Sequence, residues 1–308
     1  MELWNILHPT AFRLALLSFV LLEAQTLSEH KQEGGGDNDG GWWCGSHLSV
    51  EDEGLCNLEV VDGSSLSLRH FLDSYAYRMP VVITGLTDNA KFRSLCSKWN
   101  LLAGYGERQV RLSTANTYSY TKVDVSFRDY VNVLLRPQSP GVLGSGESER
   151  AKDVMEMGSS LCCASLFYAR WRPAETLYMF GDNNLSEWQS LLDVYKPPPF
   201  LLPHTSRAFS FGVAGPGTGV PFHWHGPGYS EVIYGRKRWF LYPPEQEPHF
   251  HPNISTLSWL RNIYPHLTPR QAPLECTIRP GQVLYFPDRW WHATLNLDTS
   301  VFISTFLG

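Results

Sequence analysis

Long apolar runs are nearly absent from this 308-residue chain. The longest, Leu14 to Leu22, is broken only by Ser18, and a bilayer core asks for about 20 consecutive apolar residues. No transmembrane span is therefore expected in the mature chain. A surplus of positive charge is missing too. The formal net charge is −5 and the lysines and arginines are scattered, so the dense basic face that a phosphate backbone requires is not there and nucleic acid is not an expected partner. The six cysteines follow no zinc-ribbon spacing, no H-E-x-x-H pair offers a zinc hydrolase, no internal repeat is present, and the chain does not end in K-D-E-L. What the chain does hold is 43 % hydrophobic and 13 % aromatic residues, with 21 prolines and 25 glycines. That mixture favours short strands joined by turns over a helical bundle.

The apolar run follows Arg13, and Ala24 offers a small residue for cleavage. Residues 1–24 accordingly read as a signal peptide, the alternative being an uncleaved anchor. Asn184-Leu185-Ser186 and Asn253-Ile254-Ser255 are glycosylation sequons. Cys44, Cys56, Cys96, Cys162, Cys163 and Cys276 make an even set, compatible with disulfides in an oxidising lumen, and Cys44–Cys56 is the expected local bridge. Residues 25–41 close on Gly34-Gly35-Gly36-Asp37-Asn38-Asp39-Gly40-Gly41, too polar to bury a core, and read as a flexible linker. Residues 42–308 then form one domain.

Within it, Leu68, Phe71, Leu72 and Tyr75 share a helical face across Ser65–Tyr77, and Phe127, Tyr130, Val131 and Leu134 share another. Met79-Pro80-Val81-Val82-Ile83-Thr84-Gly85 reads as a buried strand, and Pro137–Glu149 as a loop. After Lys196-Pro197-Pro198-Pro199 the texture turns to strands: Ala208–Ala214, His223–His225, Glu231–Tyr242, Gln282–Phe286 and Ser300–Phe306.

Three segments carry chemistry. On a strand, positions i and i+2 share a face, so His223 and His225 would project together with Trp224 turned away, as a metal site needs. A hydrogen-bonded pair of core histidines satisfies the same pattern. In Gly235–Pro244, one continuous strand places Arg236, Arg238 and Phe240 on one face and Lys237 opposite, with Ile233, Trp239 and Leu241. A buried ammonium needs an anion, supplied by a carboxylate ligand or by Glu231, unless Lys237 merely snorkels to water. In Arg279–Thr294 a Pro-Gly turn opens a strand, Pro287 ends it, and His292 heads the next, either as a ligand or as a stacking partner for the tryptophans.

In order and spacing these segments resemble the C-terminal half of the jumonji (JmjC) domain, in its branch of small protein hydroxylases, and the likeness extends upstream through Pro80–Gly85 and Leu177–Phe180 to cover roughly residues 65–308. The resemblance implies a mainly β fold with flanking α-helices, a cupin-type double-stranded β-helix or jelly roll with an N-terminal α/β extension. It implies Fe(II) at His223 and His292, a 2-oxoglutarate carboxylate at Lys237, protein partners or substrates, and the endoplasmic reticulum lumen as address. The family's second metal ligand is a carboxylate, whereas this chain has His225. The substitution raises the charge of a loaded site by one unit. Two readings follow. The chain is a protein-binding regulatory module with a degenerate metal and 2-oxoglutarate pocket, or it is an atypical Fe(II)/2-oxoglutarate-dependent protein hydroxylase with His223, His225 and His292 on iron and Glu231 replacing the lost carboxylate.

Overall fold

The computed structural model describes residues 39–42, 50–114, 122–135, 177–181 and 184–308. The expected signal peptide, nearly all of the linker, Cys44, Cys162, Cys163 and the Pro137–Glu149 loop lie outside the described residues.

Twelve strands are described: β1 (Val60–Asp62), β2 (Val81–Thr84), β3 (Gln109–Thr114), β4 (Lys122–Ser126), β5 (Leu177–Met179), β6 (Arg207–Ala214), β7 (Gly228–Tyr234), β8 (Lys237–Tyr242), β9 (Leu274–Ile278), β10 (Gln282–Phe286), β11 (Trp291–Asn296) and β12 (Ser300–Leu307). Nine form a large sheet in the order β1-β2-β10-β7-β12-β6-β5-β3-β4, and three form a small one, β11-β8-β9. Every pairing except β1 with β2 is antiparallel. The two sheets share a core. Val82, Val232, Leu284 and Phe286 come to it from the large sheet, and Trp239, Leu241, Cys276 and Ile278 from the small one. This two-sheet arrangement is the expected jelly roll, and its large sheet takes in the N-terminal strands β1 to β5.

Helices cover the outer faces. Thr256–Asn262, capped by Ser255 accepting from the Ser258 N–H, lays Leu257, Trp259 and Leu260 on Phe240, Tyr242, Ala293 and Leu295 of the small sheet. Burial on both sides explains why all six residues of β8 are buried and why period-2 reasoning about its faces was insufficient. The outer side of the large sheet, with Leu112, Phe211, Ile233 and Ile303, packs on Phe92, Leu101, Phe127 and Trp188. The helix expected over Ser65–Tyr77 is observed as Leu68–Ser74, with Ser67 as cap. The one over Phe127–Leu135 is a short α turn that widens into a π turn, Tyr130–Leu134.

Three expectations are corrected. The run Glu231–Tyr242 is two strands, because Gly235 takes a positive φ of 81° and a β-carbon there would meet the Thr299 carbonyl oxygen at 2.5 Å. Ile233 consequently faces the outer core, away from Trp239 and Leu241. Arg236 lies in the turn, paired with Asp298 and Glu53, whereas Arg238 is 1 % exposed and bound to the equally buried Glu275 at 2.6 Å. Cys56 is bonded to Cys276, not to Cys44. The reason is a strap, residues 50–59, that runs along β9: the Asn57 N–H donates to the Glu275 carbonyl (3.0 Å), the Thr277 hydroxyl donates to the Glu53 carbonyl (2.7 Å), and Arg238 reaches Asp52. A sequence separation of 220 residues hides a contact that strap pairing makes local.

Candidate metal centre

His223, His225 and His292 converge, with one ligand atom from each lying within 4.8 Å of the others. The elements that bring them together differ from the expected strand. His223 and His225 sit in an irregular segment before β7, fixed by a single bridge in which the His223 N–H donates to the His292 carbonyl (3.1 Å) and the His292 N–H to the His223 carbonyl (2.8 Å). The His225 carbonyl accepts from the Arg289 N–H (2.9 Å), in a turn where Arg289 has a φ of 58°. Trp224 does turn away, and is 53 % exposed.

Hydrogen bonds set the state of the rings. Each Nδ1 lies 2.8 Å from a backbone carbonyl oxygen: Pro221 for His223, Gly226 for His225 and Trp290 for His292. A carbonyl only accepts, so each Nδ1 carries the proton and each neutral ring presents a bare Nε2. Two of these, on His225 and His292, face each other at 3.2 Å. Protonation is a poor remedy for opposed lone pairs here. Burial lowers the pKa of all three rings, that of His223 to about 4, and the neighbouring rings push His292 down further. A divalent cation relieves the repulsion, because bonds of about 2.0–2.1 Å to imidazole nitrogen place the donors roughly 3.3 Å apart. The residues fit a metal. Among the described residues this is the only such cluster.

The same pocket is lined by Lys237, Trp239, Phe286, Thr294, Phe302, Ser304 and Phe306. Lys237 is 3 % exposed. Its ammonium stands 3.5 Å from the centre of the Phe302 ring and donates at 3.3 Å to Asn296, and desolvation lowers its pKa to about 7. The expectation that Lys237 is interior holds, but its anion is not Glu231. Glu231 points through β7 to the outer core, where Thr87, Asn89 and Tyr195 donate to it, so it cannot replace a metal-binding carboxylate. Asn296 and Phe302 were not anticipated. The signal for Asn296 was available, since His292, Thr294 and Asn296 alternate along β11.

The cupin-like domain family model matches residues 68–306. The chain belongs to this JmjC family. Human JmjC domain-containing protein 8 is 57 % identical over 274 residues, covering 89 % of this chain and 92 % of that one. A Caenorhabditis elegans bifunctional arginine demethylase and lysyl-hydroxylase, psr-1, is 23 % identical over 266 residues, covering 80 % and 60 %. The ribosomal oxygenase YcfD of Escherichia coli superposes with a TM-score of 0.42 at 16 % identity, covering 79 % of this chain and 52 % of that one. The family thus relates the fold to iron- and 2-oxoglutarate-dependent oxygenases, among them demethylases and hydroxylases.

Proposed function

We propose that this protein is a lumenal JmjC-fold module that holds a divalent metal on His223, His225 and His292 and acts by binding other proteins, without ordinary 2-oxoglutarate turnover. One observation carries the reading. The three converging ligands are all neutral imidazoles, no carboxylate joins their cluster among the described residues, and Glu231, the expected stand-in, is committed to the far side of β7. In a two-histidine, one-carboxylate centre the anion offsets part of the charge of Fe(II) and three positions stay open. Here a loaded centre keeps its full charge beside a lysine.

The lumenal address is supported by the apolar run after Arg13, by the Cys56–Cys276 disulfide and by the exposure of both sequon asparagines, Asn184 and Asn253. Disulfides persist in oxidising compartments and are rare in the cytosol. No helix among the described residues is long and apolar enough to cross a membrane. The retained pair of Lys237 and the histidines favours a second reading, an atypical protein hydroxylase.

Metal analysis of the purified protein tests the first reading. One equivalent of divalent metal is expected in the wild type and a clear loss in His223→Ala, and equal stoichiometry in both defeats it. Conversion of 2-oxoglutarate to succinate that depends on Lys237, with iron and ascorbate present, would establish the second reading instead.

A further inference from the structure

Apart from the three imidazoles, the pocket holds under-used hydrogen-bond donors: the Lys237 ammonium, with one bond of 3.3 Å to Asn296, and the indole N–H of Trp239, with none. Among the described residues only four buried side-chain polar atoms lack a hydrogen-bond partner; one, the indole N–H of Trp239, belongs to a residue that lines this cavity, and another, the hydroxyl of Ser230, lies on β7 outside the lining. Trp239 lines the pocket directly, two residues along β8 from Lys237 and on the same face. Ser230 lies opposite Ser304, another pocket residue, in the β7–β12 register. A buried donor without an acceptor costs on the order of 1–3 kcal/mol. The other two unpartnered atoms are on Arg207 and Thr256, whereas the buried carboxylates are fully engaged, Glu231 taking donors from three side chains and Glu275 from two, Arg238 and Tyr264.

Packing holds the indole in place. Its ring stacks on Phe286, with centroids 5.6 Å apart and planes at 18°, and lies 5.7 Å from His292. In the β8–β9 register it is opposite the disulfide-bonded Cys276. The N–H is therefore presented by a side chain with little freedom to turn away.

We propose that Trp239, through its indole N–H, is an anion-binding residue of this pocket and joins Lys237 in holding one carboxylate of a small dicarboxylate ligand. This rests on the pocket of the proposed function but not on its metal: the indole and the ammonium can be tested with the histidines loaded or empty. The division of labour follows from chemistry. The ammonium supplies charge with three rotatable donors, and the indole supplies one fixed direction, which selects where the carboxylate oxygen sits.

The test uses the full protein, with and without one equivalent of Co(II), titrated with succinate and 2-oxoglutarate. Indole N–H resonances are followed by 15N NMR and affinities are measured by calorimetry. One indole proton, the one absent from Trp239→Phe, is expected to move downfield on binding. Trp239→Phe, which keeps an aromatic on Phe286, is expected to weaken binding about 10- to 150-fold, the worth of one hydrogen bond to a charged group, with the cobalt content unchanged. If Trp239→Phe does not fold, the wild-type resonance still decides, because the shift must vanish in Lys237→Met. An unmoved indole on saturation, equal affinity in Trp239→Phe, or no binding of either acid at millimolar concentration overturns the proposal. A protein that binds the acid with the indole shift but takes up no cobalt upholds it while refuting the metal centre.

Discussion

Replacing Lys237 by Met should make the ligand-free protein more stable, and by an amount that depends on pH. The two side chains are of similar length, so the change chiefly removes the charge. In the folded protein the ammonium is desolvated and titrates at about 7, against the ordinary 10.5 of an unfolded chain. Between these values the unfolded state holds a proton that the folded state has released, so stability rises with pH across the window and the full penalty is felt below pH 7. Integrated from pH 6 to pH 9, the lysine-specific change is on the order of 2–3 kcal/mol. In the variant the Asn296 Oδ1 lacks its Lys237 donor at every pH, a constant offset that cannot mimic the change with pH. Chemical denaturation of wild type and Lys237→Met at several pH values measures the difference directly. The variant's advantage should be largest at pH 6 and shrink toward pH 9. A difference that stays flat with pH would show that the ammonium is not desolvated as described. The converse holds for ligand: a bound carboxylate favours the ammonium, so dicarboxylate affinity should fall as pH rises above 7.

Changing His225→Asp restores a two-histidine, one-carboxylate ligand set, and it should confer measurable Fe(II)-dependent succinate production on an inert parent; no gain of turnover would place the block elsewhere in the pocket. Glu231→Ala strands the donors of Thr87, Asn89 and Tyr195 and should cost about 2–4 kcal/mol of stability, with metal stoichiometry intact; loss of metal would contradict its place on the outer side of β7. Cys56→Ala opens a loop of 220 residues and should destabilise by about 2–5 kcal/mol in denaturant, whereas an unchanged midpoint would mean that the ion pairs of Glu53 and Asp52 hold the strap unaided.

The site's identity was legible because its residues repeat short-range rules: a histidine pair two apart, a Pro-Gly turn before a strand, and a lysine after a glycine. Its geometry was less so. His223 and His225 do not owe their convergence to strand alternation, because their segment is irregular and is held by a bridge to His292, 69 residues on by sequence numbering. The side to which Glu231 points depends on the pairing of β7 with β10 and β12, and no local pattern fixes that. No local pattern showed that the strap and Glu275 would enclose Arg238. The disulfide was misassigned for the same reason. Proximity along the chain was the only guide available, and strap-to-strand pairing overrode it.

Polar groups are buried throughout this molecule, and the way each is satisfied separates structure from function. Arg238 is closed on Glu275 and Asp52, and Glu231 on a ring of neutral donors. Such groups need nothing from outside. The pocket is built differently, with three bare imidazole nitrogens, an ammonium with one long hydrogen bond, and an indole N–H with none. Each of these lowers the stability of the empty protein, and apolar residues of similar size would serve the core better. Stability therefore does not explain them. Binding does: a ligand present at 100 times its dissociation constant returns about 2.7 kcal/mol, enough to offset one such group, and two ligands acting together offset more. The two unmet sets then name the visitors, a cation for the three bare nitrogens and an acceptor-rich anion for Lys237 and Trp239, and neither requires that the pocket turn anything over.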